Sequence, residues 1–174
     1  MPQLQEALDE LLQQHYTIHT PGAAILVARQ HEVVYKGAAG VANMAIGTPL
    51  TTQSNFRMAS VSKQFTAMCV WLLVQQGKVR LDDALSLYFP ELAHLGNVQL
   101  HHLLNHTSGL PDFEEHVPAG QTTQLRDEEV LQLTATQQTL LYSPGTRYRY
   151  SNTGFVLLGL LVERVAGMAY DVFL

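Results

Sequence analysis

A single cysteine, Cys69, stands in the 174 residues, so no internal disulfide can form and the fold must rest on its apolar core. Set among Met68, Val70, Trp71 and Leu72, its thiol reads as buried and inert, and the redox compartment stays open. Basic residues are sparse, 10 Lys and Arg against 15 Asp and Glu, for a formal net charge of −5. Scattered as they are, they build no patch that could neutralise phosphates, which argues against nucleic acid as a partner. Long hydrophobic runs are missing too. The longest apolar stretch, Phe155 to Val162, is far too short to span a bilayer. Met1 to Glu6 carries neither a basic n-region nor an apolar h-region, so no secretory signal is visible there. The expected compartment is the cytoplasm, or an exported location after removal of a leader.

What is present points to a folded chain. Apolar residues make up 47% and charged residues 14%, a globular balance. The length suits one domain, residues 1–174, with a sizeable core. Leu4, Ala7, Leu8, Leu11 and Leu12 recur at helical spacing and predict an amphipathic helix ending before Thr20-Pro21-Gly22. Ala23 to Ala28, the polar turn at Gln30-His31-Glu32, and Val33-Val34-Tyr35 read as a β-hairpin. Gly37 to Gly47 fits an edge segment or irregular loop. From Ser60 to a C-cap at Gly77 runs a helix that is apolar on most of its circumference, the mark of a buried helix, and Met68 and Trp71 read as core. Short helices are expected from Asp82 or Asp83 to Tyr88, over Leu100–Asn105 and over Asp127–Leu133, with a polar loop at 112–126. A strongly apolar helix covers Phe155–Val165 up to Gly167, and Tyr170 to Phe173 opens another. Strand candidates lie only near the N-terminus. A two-stranded ribbon is not an independent sheet, so the chain reads as incomplete.

Two constellations could carry chemistry. In Met58-Ala59-Ser60-Val61-Ser62-Lys63, a serine in the first turn of a helix has its N–H among the unpaired donors at the positive end of the dipole, suited to an oxyanion. Lys63 lies on the same face and can, when desolvated, take the serine proton. The bland reading is a serine N-cap beside a snorkelling lysine. In Tyr150-Ser151-Asn152, a phenol becomes a usable base only where a cation such as Lys63 stabilises the phenolate. Asn152 offers an amide donor and acceptor that can hold a substrate carbonyl and orient the lysine. Asn152 as N-cap and Tyr150 as a partly buried anchor is the alternative.

Taken together, these segments resemble the serine β-lactamase-like superfamily of class C β-lactamases, D-Ala-D-Ala carboxypeptidases and related esterases. The resemblance rests on Ser60-Val61-Ser62-Lys63, on His106-Thr107-Ser108-Gly109-Leu110-Pro111, and on Tyr142-Ser143-Pro144-Gly145 running into Tyr150-Ser151-Asn152-Thr153-Gly154-Phe155, with the following Leu157-to-Glu163 segment. Order and intervals fit from about residue 21 onwards. It implies an α+β fold of β-lactamase/transpeptidase type, an antiparallel sheet flanked by helices with a helical subdomain, of which this chain holds the helical part and the first hairpin. It further implies a serine hydrolase that cleaves an ester or amide of a small-molecule or peptide substrate through an acyl-enzyme on Ser60. Lys63 and Tyr150 would share the proton traffic as a coupled pair, and Asn152 would bind the acyl side. No cofactor and no metal are implied. The family's third motif, Lys-Thr-Gly or His-x-Gly, does not follow Asn152, so the chain reads as the N-terminal portion of a longer enzyme. The rival reading is a non-catalytic binding protein or inactive fragment that keeps the fold.

Other reactive-looking residues have plainer readings. Ser108 lacks the first glycine of a G-x-S-x-G elbow and belongs to a structural turn. His101, His102 and His106 have no Glu to complete an H-E-x-x-H and read as solvated or hydrogen-bonded. Asp82-Asp83 reads as capping and Glu114-Glu115 as a solvated loop.

Overall fold

The leucines spaced three and four apart do form a helix. α1 spans Pro2–His15 in the computed structural model, which describes residues 2–117 and 120–174. The chain divides into two compact units, Met1–Arg57 and Met58–Leu174. In the first, β1 (Ala23–Arg29) and β2 (Glu32–Ala39) pair antiparallel. Their two-residue turn, Gln30-His31, takes positive φ at both positions (50° and 68°), the primed geometry that follows the twist of the strands. Two residues of β2, Tyr35 and Val33, face the neighbouring Val27 and Ala28 of β1, so Val34 is the extra residue of a bulge. α1 packs on β2, where the buried Tyr35 donates its hydroxyl to Asp9 Oδ1 at 2.7 Å. The glycine-rich stretch is more regular than expected. β2 runs on to Ala39, and β3 (Val41–Asn43) pairs with β4 (Thr48–Pro49). Gly22 and Gly40 allow this crossing, because a Cβ on either would run into the backbone of the other's segment. Among the described residues the strands form only these two-stranded ribbons.

The second unit is built around one helix. α5 (Asn152–Ala166) packs against α2 (Lys63–Gln75), α3 (Leu100–Leu104), α4 (Asp127–Ala135) and α6 (Tyr170–Phe173). Its run of apolar residues explains that centrality: Leu157, Leu158 and Leu161 are fully buried and meet Val70, Leu73, Leu100 and Leu103 in one core. Gly167, left-handed at φ 70°, ends it as expected. No described helix is long and apolar enough to cross a membrane.

Three expectations are corrected. α2 is buried on one side only, through Thr66, Cys69, Val70 and Leu73. Phe65, Met68 and Trp71 are exposed, Met68 at 59% and Trp71 at 52%, because α5 can cover only the stripe facing it. The segment after Asp82-Asp83 is a single 3₁₀ turn, Leu85–Leu87, and neither acid caps it: Asp83 accepts from the Arg80 N–H and the Tyr88 hydroxyl, and Asp82 pairs with Arg80. Within the polar stretch 112–126, Phe113–His116 also winds into a 3₁₀ turn, capped by Asp112. Cys69 is buried as expected, and burial pushes its thiol pKa up.

Truncating Leu161 to Ala at the centre of α5 is expected to lower unfolding stability by about 2–5 kcal/mol. Leu87→Ala, at a side chain 67% exposed, should stay within about 0.5 kcal/mol of the parent. Urea unfolding of the two variants beside the parent checks both.

Candidate active site

Two helices begin at the site. A 3₁₀ turn, Ala59–Ser62, feeds directly into α2, so Ser60 lies in that tighter turn and Lys63 is the first α-helical residue. The turn starts from Ala59 in a left-handed conformation (φ 45°), which costs energy for a residue with a Cβ. Among the described residues the Ser60 N–H donates to no protein acceptor, leaving it available at the helix end. On the other side Tyr150 closes an irregular segment, and Asn152 is the first residue of α5.

The structure brings all four residues together. Ser60 Oγ lies 2.7 Å from Tyr150 Oη and 3.2 Å from Lys63 Nζ. Lys63 Nζ donates to Asn152 Oδ1 at 2.7 Å and stands 4.8 Å from the Tyr150 ring centre. Lys63 is thus shared among the serine, the amide and the phenol face rather than snorkelling into water. The Lys63 ammonium first, and the Ser60 hydroxyl second, stabilise the phenolate and hold the Tyr150 pKa below its ordinary value, against burial and Asp112. A cavity of about 370 Å³ opens beside Lys63 and Asn152, with Phe113, Phe155 and Tyr170 in its wall.

The capping readings fare differently. Ser151, not Asn152, is the N-cap of α5, and its hydroxyl makes no cap; that buried Oγ has no partner among the described residues. The cap comes from another segment: buried Asp112 accepts the Asn152 N–H at 2.7 Å and the Glu114 N–H at 3.1 Å. Thr153 completes the junction, accepting from the Phe113 N–H and donating to the Pro111 carbonyl, both at 2.8 Å. Asp112 and Thr153 were not legible as site residues. Asp112 directly follows the His106-to-Pro111 segment, but nothing in its spacing ties it to a helix forty residues on.

The remaining candidates sit as follows. Ser108 is buried and its Oγ accepts the Leu110 N–H, a turn role. His102 is buried and its Nδ1 accepts the Gln99 N–H, while the His101 ring lies against it, tilted by 52° with 4.1 Å between centres. His106 turns away to the Tyr150 ring, 4.5 Å between centres. No three His, Cys, Asp or Glu among the described residues group to hold a metal ion. Glu115 does not float free in solvent but pairs with Arg149.

Comparison with known proteins gives consistent matches. The Beta-lactamase family model matches residues 5–174. Penicillin-binding protein 4* of Bacillus subtilis (strain 168) is 34% identical over 159 residues, 90% of this chain and 35% of that protein. Esterase EstB of Burkholderia gladioli is 34% identical over 163 residues, 84% of this chain and 41% of that protein. Among solved structures, EstCE1, a hydrolase with promiscuous acyltransferase activity, superposes with a TM-score of 0.80 at 30% identity over 97% of this chain and 49% of that one. The D-amino acid amidase of Ochrobactrum anthropi SV3, in complex with D-phenylalanine, gives 0.78 at 30% identity over 97% and 46%. The chain therefore spans less than half the length of these relatives, and its fold is of the β-lactamase/transpeptidase type.

Asp112→Ala removes the one acceptor shared by the part-buried Asn152 and Glu114 N–H groups and is expected to cost about 1–2 kcal/mol of stability. Ser151→Ala removes a hydroxyl that has no partner among the described residues and should change stability by less than about 0.5 kcal/mol. Thermal unfolding of both variants distinguishes them, and equal losses would contradict the bonding pattern.

Proposed function

Because the chain belongs to the Beta-lactamase family, we propose that the protein is a serine hydrolase that cleaves an ester or amide through an acyl-enzyme on Ser60. The observation that carries this reading is the single Ser60 hydroxyl held at once by the Tyr150 phenol and the Lys63 ammonium, at 2.7 and 3.2 Å. These are hydrogen-bond distances between a nucleophile and its base, with the base oriented by a third group. The relatives named as an esterase and an amidase support a hydrolase of this family.

The proposed steps use these four residues. Tyr150, in its phenolate form beside Lys63, takes the Ser60 proton as Oγ bonds to the substrate carbonyl carbon. The carbonyl electron pair moves onto oxygen, and the Ser60 N–H supplies one donor to that oxyanion. When the carbonyl re-forms, the bond to the leaving group breaks, and the phenol proton passes to the departing oxygen or nitrogen. Water, deprotonated by the same pair, then attacks the ester carbonyl, and Ser60 leaves with its proton restored. Asn152 holds Lys63 through Oδ1 and keeps its amide N–H₂ for the acyl side of the substrate. The substrate class is a β-lactam, a D-Ala-D-Ala-like peptide or a carboxylic ester, with the cavity beside Asn152 taking the acyl group. No cofactor enters any step.

A fluorophosphonate probe tests the proposal by intact mass. The parent is expected to gain one adduct and Ser60→Ala none; an adduct of equal yield on Ser60→Ala would sink it. Tyr150→Phe should slow labelling about 10²–10⁴-fold. With the phenol held low by Lys63, the parent's labelling rate should rise with pH and level off below the ordinary tyrosine value of 10.0. A rise that continues unchanged past that value would remove Tyr150 from the role of base.

A further inference from the structure

The segment that delivers Tyr150 has no secondary structure of its own: residues 147–150 are irregular, and Tyr150 is 41% exposed. A phenol so placed is not aimed by its own packing, and something must fix it to within a fraction of an ångström of Ser60. One residue contacts the chain on both sides of it. The His106 carbonyl accepts the Arg149 N–H at 2.9 Å, and the His106 Nδ1 accepts the Ser151 N–H at 3.3 Å. Its ring lies against the Tyr150 ring between them, 4.5 Å centre to centre and tilted by 33°. The same ring meets Tyr148 edge-on at 5.9 Å and Phe155 at 5.2 Å.

The backbone at His106 adds an independent argument. α3 ends in a Schellman motif: the Thr107 N–H donates to the His102 carbonyl at 2.8 Å and the His106 N–H to the Leu103 carbonyl at 3.3 Å. His106 occupies the left-handed position of that motif, φ 59°, where glycine or asparagine is the low-energy choice. A histidine there costs more backbone strain than a glycine would, and its side-chain contacts offset that cost.

We infer that His106 is a positioning residue that aims the Tyr150 phenol at Ser60, and that it does so as the neutral imidazole. Nδ1 must carry a lone pair to accept the Ser151 N–H, so the ring proton of the neutral form sits on Nε2. Protonation turns Nδ1 into a donor facing another donor. It also sets a second cation beside Lys63; Asp112 is the opposing charge, and the Tyr148 and Tyr150 phenols are the other titratable groups around the ring. Burial first, and the Lys63 charge second, lower the His106 pKa, which keeps the neutral form through the neutral range. The inference rests on the serine-hydrolase reading only in its kinetic arm.

Two variants of the full chain test it. His106→Gly suits the left-handed turn and removes both ring and acceptor; His106→Asn suits the turn and keeps a side-chain oxygen. Carbon NMR of the tyrosine rings, with Tyr150 assigned by Tyr150→Phe, reads the phenol titration without any appeal to turnover. In His106→Gly the Tyr150 pKa should move back up towards 10.0 as the phenol drifts from Lys63, with His106→Asn in between. Fluorophosphonate labelling should slow roughly tenfold to a hundredfold in His106→Gly. The parent's extra fall in labelling rate in mild acid, from His106 protonation, should be missing in both variants. An unshifted Tyr150 titration in both variants overturns the inference, as does labelling at the parent's rate and pH profile. If His106→Gly fails to fold, His106→Asn decides alone. A parent that takes no label at Ser60 removes the hydrolase reading, while the NMR titration still decides the role of His106.

Discussion

The site depends on one contact, the 2.7 Å hydrogen bond from Lys63 Nζ to Asn152 Oδ1. Lys63 opens α2 and Asn152 opens α5, so this bond joins the starts of the two helices whose packing forms the centre of the second unit. Both helix ends are the positive ends of their dipoles. An ammonium held between them makes the region hostile to further cations and favourable to anions. Phenolate at Tyr150 and a developing oxyanion at the Ser60 N–H are the two anions that the proposed chemistry needs. The Lys63 ammonium, with the Ser60 hydroxyl, already holds the Tyr150 pKa below its ordinary value.

Holding that contact requires the surrounding chain to be stiff, and the stiffness comes from one clasp. Residues 106–112 run beside residues 141–153, tied by Leu141 N–H to the Gly109 carbonyl, Gly145 N–H to the Thr107 carbonyl and Arg149 N–H to the His106 carbonyl. The clasp ends where Asp112 caps α5 and Thr153 bridges Pro111 and Phe113. Gly109 is needed in this strip, since φ is 76° and a Cβ would meet the Tyr142 carbonyl. An irregular segment thereby gains the order of a strand without being one.

The exposed stripe of α2 shows how far the core of this chain extends. Apolar side chains on one face fill the space against α5, while Phe65, Met68 and Trp71 on the other face join no buried cluster among the described residues. The relatives are more than twice as long as this chain.

Much was readable directly from residue order. Leucine periodicity gave α1, the apolar run closed by Gly167 gave α5, the turn chemistry at Gln30-His31 gave the hairpin, and the S-x-x-K and Tyr-x-Asn segments singled out the four residues that the fold brings together. These signals are local: a helix period, a turn or a short motif is written in neighbouring residues. The features of the site that went unread join distant parts of the chain. Asp112 caps a helix that starts forty residues later, His106 braces a tyrosine forty-four residues on, and one face of α2 stays bare, because partners across space leave no mark in spacing. Sequence by itself determined which groups are chemically competent, and only the tertiary structure decided their distances, since hydrogen bonds of 2.7 Å between residues ninety positions apart exist only once the helices have packed.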